Sequence, residues 1–162
     1  MNNSATSETS RSFGLVIPTL NAAPWLPDLL PAIEAQTAQP DRFIVVDSSS
    51  DDDTAERCRR AGIEVTVIRR DDFDHGQTRQ MAIDCLKDLD LIIFLTQDAI
   101  PADGDAFANL LCAFDDKRTG VVYGRQLPRN GAGAIEAHAR LFNYPDSDHL
   151  DDAETMRTRG LR

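Results

Sequence analysis

Short, nearly continuous apolar runs alternate along this chain with longer amphipathic ones, and that alternation limits the folds open to it. Residues 13–18 (FGLVIP), 43–47 (FIVVD), 64–68 (EVTVI), 91–96 (LIIFLT) and 120–124 (GVVYG) read as strands. Runs that are apolar at successive positions suit strands covered on both faces, as in a parallel sheet. Between them, residues 24–36 place Leu26, Leu29, Leu30 and Ile33 on one helical stripe. Residues 54–61, 76–86 and 103–114 continue the strand–helix alternation. Pro31 conflicts with the interior of the first helix and predicts a kink or a shorter element. The pattern as a whole predicts an α/β domain with a doubly wound, mostly parallel sheet flanked by helices.

In such sheets ligands gather beyond the carboxyl ends of the strands. Polar residues cluster there in this sequence. Pro18-Thr19-Leu20-Asn21 follows the first run, Asp47-Ser48-Ser49-Ser50 the second, Gln97-Asp98 the fourth and Arg125-Gln126 the fifth. Four clusters converging on one edge are the strongest purely physical indication of a binding site.

With 162 residues the chain can bury one sizeable core. The expected organisation is a frayed Ser/Thr/Asn-rich tail at 1–12, a domain at 13–145, and a mobile or truncated segment at 146–162. Past Pro128 the signal fades to a weak helical pattern over 134–142, then to mixed Asp and Arg with no apolar stripe. No run of 18 apolar residues occurs, so no transmembrane segment is expected. Cys58, Cys85 and Cys112 are odd in number, far apart and set within helical patterns, where cysteine usually acts as a small buried hydrophobe. A disulfide framework is not expected, and a reducing cytosol fits. The net charge of -10 argues against nucleic acid as a partner. An anionic small substrate would need a metal or a placed arginine.

Three constellations could carry chemistry. Asp47 ends an apolar strand, where an ionised carboxylate can accept a ring N–H; the acids that follow, Asp51, Asp52 and Asp53, read as caps of the helix begun by Thr54. Asp98 emerges directly from a buried strand, a placement that suits one oxygen ligand of a divalent ion or, more plainly, a turn. His75-Gly76-Gln77-Thr78-Arg79 enters a helix whose N-terminus favours anions, with Arg79 able to meet a base carbonyl or a phosphate. The bland alternatives are a loop histidine and an arginine paired with an acid among residues 71–74. No Gly-x-Gly-x-x-Gly follows the first strand and no Gly-Lys-Ser/Thr occurs, against dinucleotide and P-loop readings.

Ile17-Pro18-Thr19-Leu20-Asn21 followed by Ile44-Val45-Val46-Asp47-Ser48-Ser49-Ser50-Asp51 resembles the opening of family 2 glycosyltransferases. Phe73-Asp74-His75-Gly76-Gln77-Thr78-Arg79, Phe94-Leu95-Thr96-Gln97-Asp98-Ala99, Val122-Tyr123-Gly124-Arg125-Gln126-Leu127-Pro128 and Phe142-Asn143-Tyr144-Pro145 resemble its rhamnosyltransferase-like branch. The resemblance implies a GT-A fold, a nucleoside-diphosphate sugar donor such as dTDP-rhamnose, and a divalent cation, magnesium or alternatively manganese. It also implies inverting transfer to a glycan or lipid-linked acceptor in polysaccharide biosynthesis. A cytoplasmic protein, peripheral at the inner membrane face and compatible with a homodimer, goes with it. Carried over residue by residue, Pro18 and Thr19 line the base pocket, Asp47 holds the pyrimidine and Arg79 contacts the nucleotide. Asp98 reaches the metal, and Asn21, Ser49, His75 and Gln97 complete the donor site.

The chain departs from the family pattern where Thr96-Gln97-Asp98 replaces Asp-x-Asp, and where Gln80 follows the arginine in place of Asn. The general base belongs to an acceptor half expected after the end of this sequence. Asp146, Asp148, Asp151, Asp152 and Glu154 read better as solvated charges than as substitutes. Two rival readings follow: a nucleotide-sugar-binding module that does not turn over, and a nucleotidyltransferase. The second wants a basic Gly-rich loop after the first strand, which residues 20–24 do not offer.

Overall fold

The computed structural model describes residues 11–129, 131–144, 146–147, 151–152, 154–155 and 157. Most of the expected 1–12 tail, Pro145, Asp148 and much of the 146–162 segment lie outside the described residues. The chain divides into two compact units, Met1–Cys112 and Ala113–Arg162, a boundary that falls inside the expected 13–145 span.

In the first unit, β1 (Phe13–Thr19), α1 (Leu26–Glu34), β2 (Arg42–Asp47), α2 (Thr54–Arg60), β3 (Glu64–Val67), α3 (His75–Cys85), β4 (Leu91–Phe94) and α4 (Ala106–Cys112) follow in order. The strands form one parallel sheet in the order β3-β2-β1-β4, so the strand order reverses between β1 and β4. This is the expected doubly wound arrangement. Phe13, Leu15, Ile17, Val45 and Ile93 bury one face against Leu26, Leu29 and Ile33 of α1, Cys58 of α2 and Phe107 of α4. Val16, Ile44 and Val46 bury the other face against Ala82 and Leu86 near α3. The period-2 alternation of side chains explains this division, because both parities of β1 and β2 are apolar. Gly14 belongs to the α3 face: a Cβ there would lie 2.7 Å from Leu86 Cδ1, so only glycine lets that fully buried leucine approach.

α1 spans Leu26–Glu34, shorter than the expected 24–36, and contains Pro31 as an interior residue. Gln36, buried beyond its end, joins two helices. Its Nε2 donates to Ala32 O at 3.0 Å and Asp103 O at 2.6 Å, and its Oε1 accepts from Phe107 N at 3.1 Å. That last bond satisfies an N–H in the first turn of α4, which has no partner within its own helix.

The second unit contains α5 (Ala134–Asn143) and no strand among its described residues. The run at 120–124, expected as a fifth strand, is irregular, with Val121 85% and Tyr123 67% exposed. Its apolar composition is that of a strand, but it does not join the β3-β2-β1-β4 sheet, and strand pairing is what stabilises an extended segment. Arg125 accordingly follows no strand; its Nε donates to Tyr144 O at 3.1 Å.

All three cysteines lie on helices, yet only Cys58 is buried, while Cys85 and Cys112 are exposed. Burial lifts the Cys58 thiol to about 11 from an ordinary value of 9.0. The protonated thiol is thereby favoured in the folded state. An unfolded chain releases this proton near pH 9, so the associated stability is intact below pH 9 and lost progressively between pH 9 and 11. Urea titrations at stepped pH are expected to show on the order of 2 kcal/mol of alkaline destabilisation that Cys58→Ala lacks. Equal pH profiles for the two proteins would contradict it.

Candidate functional site

A parallel strand turns successive peptide groups toward alternate neighbours, and this parity organises the carboxyl end of β1. Val16 accepts from Leu95 N at 3.0 Å, so even-numbered residues face β4, while Thr19 accepts from Ser48 N at 2.9 Å on the β2 side. Pro18 is even-numbered and has no N–H to give β4. Pairing between β1 and β4 stops at Val16 and Phe94, and the two chains part at the topological switch point. Leu20, two residues on, faces the same way. Gln97 meets it there with a side-chain amide in place of a peptide: Leu20 N donates to Gln97 Oε1 at 2.8 Å, and Gln97 Nε2 donates to Leu20 O at 3.1 Å.

Beside this rung lies a cleft of about 190 Å³ lined by Pro18, Thr19, Leu20, Ser48, Arg70, Phe73 and Gln97. Its far wall is set by hydrogen bonds between loops. Asp47, 2% exposed, accepts from Thr19 Oγ1 at 3.0 Å, its register neighbour across the sheet. It also accepts from Ser50 N at 2.9 Å and Ser50 Oγ at 2.5 Å. Ser50 Oγ in turn accepts from Asn21 N at 2.8 Å, and Asn21 Oδ1 accepts from Asp51 N at 2.8 Å. Asn21 and Ser49 both adopt left-handed backbone, with φ of 52° and 55°, a region asparagine tolerates better than most residues. Ser49 Oγ donates to Ile68 O at 2.7 Å, and its carbonyl accepts from Arg70 Nη2 at 2.7 Å. The same Nη2 meets Asp51 at 2.8 Å, holding that carboxyl below its usual range.

The acidic run after β2 divides its tasks. Asp53 pairs with Arg57 at 2.8 Å, and its side chain makes no capping bond. Asp52 accepts from Thr54 N at 3.0 Å and Ala23 N at 3.1 Å. Partial burial raises its carboxyl, but the bonds from Thr54 and Ala23 outweigh that and leave it below the ordinary range.

Pro18, Thr19 and Gln97 thus stand in the cleft wall, with Asp47, Asn21 and Ser49 in the lattice behind it. His75, Arg79 and Asp98 lie outside the lining. His75 begins α3 and sets its ring edge-on to Phe73, with centroids 4.9 Å apart. Arg79, one turn on, donates from Nη1 to His75 O at 2.8 Å and does not pair with the acids before it; Asp74 instead caps α3 through Gly76 N and Gln77 N. Asp98 is exposed just beyond β4. Of the acids weighed as substitute bases, Asp146 is exposed and Asp152 accepts from Thr155 N and Oγ1. Arg70 and Phe73 escaped the sequence reading. The signal was present, since Arg69-Arg70 is the polar cluster after the third strand and the carboxyl-edge rule covers it equally.

The profile described as Glycosyl transferase family 2 matches residues 15–160. The chain belongs to this family. A family 2 chain of this kind resembles O-antigen chain rhamnosyltransferase RfbN of Salmonella typhimurium, 42% identical over 149 residues, and O-antigen chain rhamnosyltransferase WbaN of Salmonella anatum, 37% identical over 153 residues. Those matches cover 91% and 93% of this chain but 48% of each relative, so the family 2 chain spans about half the length of the curated relatives it matches. Among solved structures, the mannosyltransferase PcManGT from Pyrobaculum calidifontis, in complex with GDP-Man and Mn2+, superposes with a TM-score of 0.52 at 24% identity. That superposition covers 67% of this chain and 34% of the mannosyltransferase. TarS of S. aureus gives 0.56 at 21% identity, over 76% of this chain and 23% of its own. At such identities the likeness establishes the fold, which is GT-A.

Thr54 offers a direct check on the lattice. Fully buried, its Oγ1 accepts from Ala22 N at 2.8 Å and bonds Asp52 Oδ1. Thr54→Val keeps the shape but leaves the Ala22 N–H unmet. Chemical denaturation is expected to show a loss of about 1–3 kcal/mol; a neutral result would mean that this bond does not hold the loop.

Proposed function

We propose that this chain binds the nucleotide end of a nucleoside-diphosphate sugar, dTDP-rhamnose, as the donor-binding part of an inverting glycosyltransferase that modifies a glycan or lipid-linked acceptor. The observation that carries the reading is the cleft at the β1/β4 switch point, where Pro18, Thr19 and Gln97 meet. Support for rhamnose comes from the names of the relatives from Salmonella. In the reaction an acceptor hydroxyl attacks the anomeric carbon, the bond from that carbon to the diphosphate breaks, and the hydroxyl proton passes to a general base. The chain's own residues belong to the donor side of that step.

Asp47 shapes the base end of the cleft through the three bonds it accepts. At 2% exposure and behind the lining, it acts on a bound pyrimidine through Thr19, whose hydroxyl it holds in the wall. Among the described residues no group of three or more His, Cys, Asp or Glu side chains could hold a metal ion. Asp98, a single exposed oxygen ligand at the carboxyl edge, fits a hard divalent ion that keeps several waters and takes phosphate oxygens. Magnesium or manganese held there would offset the charge that develops on the departing diphosphate. A cytoplasmic place at the inner membrane face and a homodimeric state go with this reading. No helix among the described residues is long and apolar enough to cross a membrane.

Calorimetric titration with dTDP-rhamnose, with and without magnesium, is expected to show magnesium-dependent binding, and a parallel assay for free dTDP separates a module that only binds from an enzyme that turns over. Pyrophosphate released from a nucleoside triphosphate and a sugar phosphate would favour the nucleotidyltransferase instead. Asp98→Ala is expected to weaken magnesium-dependent binding at least about tenfold while leaving the thermal melt unchanged. Undiminished binding would move the metal site elsewhere.

A further inference from the structure

One peptide group bridges the gap that opens where β1 and β4 part. The unit joining Leu20 to Asn21 is held at both ends, its carbonyl by Gln97 Nε2 at 3.1 Å and its N–H by Ser50 Oγ at 2.8 Å. Ser50 follows β2 and Gln97 follows β4, so the two grips come from opposite sides of β1. Further along the loop, Ala22 N and Ala23 N donate to Thr54 Oγ1 and Asp52 Oδ2, both again on the β2 side. On the β4 side the loop is gripped by Gln97, which also accepts from Leu20 N at 2.8 Å. Asn21 meanwhile holds a left-handed φ of 52°, a conformation that costs energy and persists where its surroundings over-determine it.

The two bonds from Gln97 do little for global stability. Leu20 is 40% exposed, and a hydrogen bond open to water is readily replaced by one to solvent. Their effect is on position. Leu20 lines the cleft of about 190 Å³ beside Gln97, and a loop released on that flank would take up several positions there. A ligand would then have to order the loop as it bound, which lowers affinity.

We propose that Gln97 is a positioning residue for the donor, acting through the peptide between Leu20 and Asn21. It latches the loop after β1 and keeps the cleft at its binding width before a ligand arrives. This rests on the donor-binding reading above and gives Gln97 a role in it other than touching the nucleotide.

Two variants of the whole chain test the latch. Gln97→Met keeps the length and bulk of the side chain and removes both bonds, while Gln97→Asn keeps the amide and withdraws it by one methylene. Each is compared with the wild type by thermal melt, by amide hydrogen exchange at Leu20 without ligand, and by titration with dTDP-rhamnose plus magnesium. Both are expected to melt as the wild type does and to exchange the Leu20 amide about tenfold faster. Both should bind the donor about tenfold more weakly. Weakened donor binding with wild-type exchange at Leu20 would make Gln97 a direct ligand and overturn the inference. Faster exchange with undiminished binding would overturn it too, while leaving the donor site standing. A wild-type chain that binds no dTDP-rhamnose would overturn the donor-binding reading and this inference together.

Discussion

The carboxyl edge of the sheet depends on one buried carboxylate. Asp47 sits 2% exposed at the end of β2 and accepts three hydrogen bonds from Thr19 and Ser50. A charge so placed is unfavourable unless it is hydrogen-bonded, and here the donors come from two different strand ends. The bonds continue outward: Ser50 holds the Asn21 amide, Asn21 holds the Asp51 amide, and Asp51 holds Arg70 in the cleft. Three loops, after β1, β2 and β3, are thus set by a relay that begins in the core and ends at a cation in contact with solvent. Substitution at Asp47 therefore acts on the whole edge.

Most of the first unit could be read from sequence, for a physical reason. A strand covered on both faces must be apolar at every position, and FGLVIP, FIVVD and LIIFLT satisfy that over lengths too short for helices. The run GVVYG satisfies it equally and forms no strand, because composition reports a preference for burial and says nothing of a pairing partner. The cysteines mislead in a related way: helical periodicity places Cys58, Cys85 and Cys112 on helices, but the face each occupies depends on what packs there, and only Cys58 faces the sheet. Among site residues, Pro18, Thr19 and Gln97 could be found because they directly follow strong strands. Arg70 could not be singled out so easily, since β3 is a weak edge strand with Glu64, Thr66 and Val67 exposed, and the arginines after it look like part of a charged surface run.

Net charge and local charge pull in opposite directions. The chain carries -10 overall, and the acids concentrate around the cleft in the loops after β2 and β3. Each of Asp51, Asp52, Asp53 and Asp74 is nonetheless engaged with an arginine or a backbone N–H. The acids therefore serve as the framework of the edge, accepting from loop amides that would otherwise go unmet. A diphosphate approaching such a rim meets an unfavourable field, which is a physical reason for proposing a divalent ion beside it.

The two departures from regular sheet geometry at the end of β1 belong together. Pro18 removes a donor from the β4 side and lets the two strands part; without that parting there is no cleft at the switch point. A parting strand would fray unless something closed the next rung. Gln97 closes it because a carboxamide carries both a donor and an acceptor, as a peptide does. An aspartate at that position would offer only acceptors to Leu20 and leave its carbonyl facing a carboxylate. The amide at Gln97 is therefore matched to Leu20 and to the proline two residues before it, and a carboxylate in its place would remove the bond from Nε2 to Leu20 O that holds the mouth of the cleft.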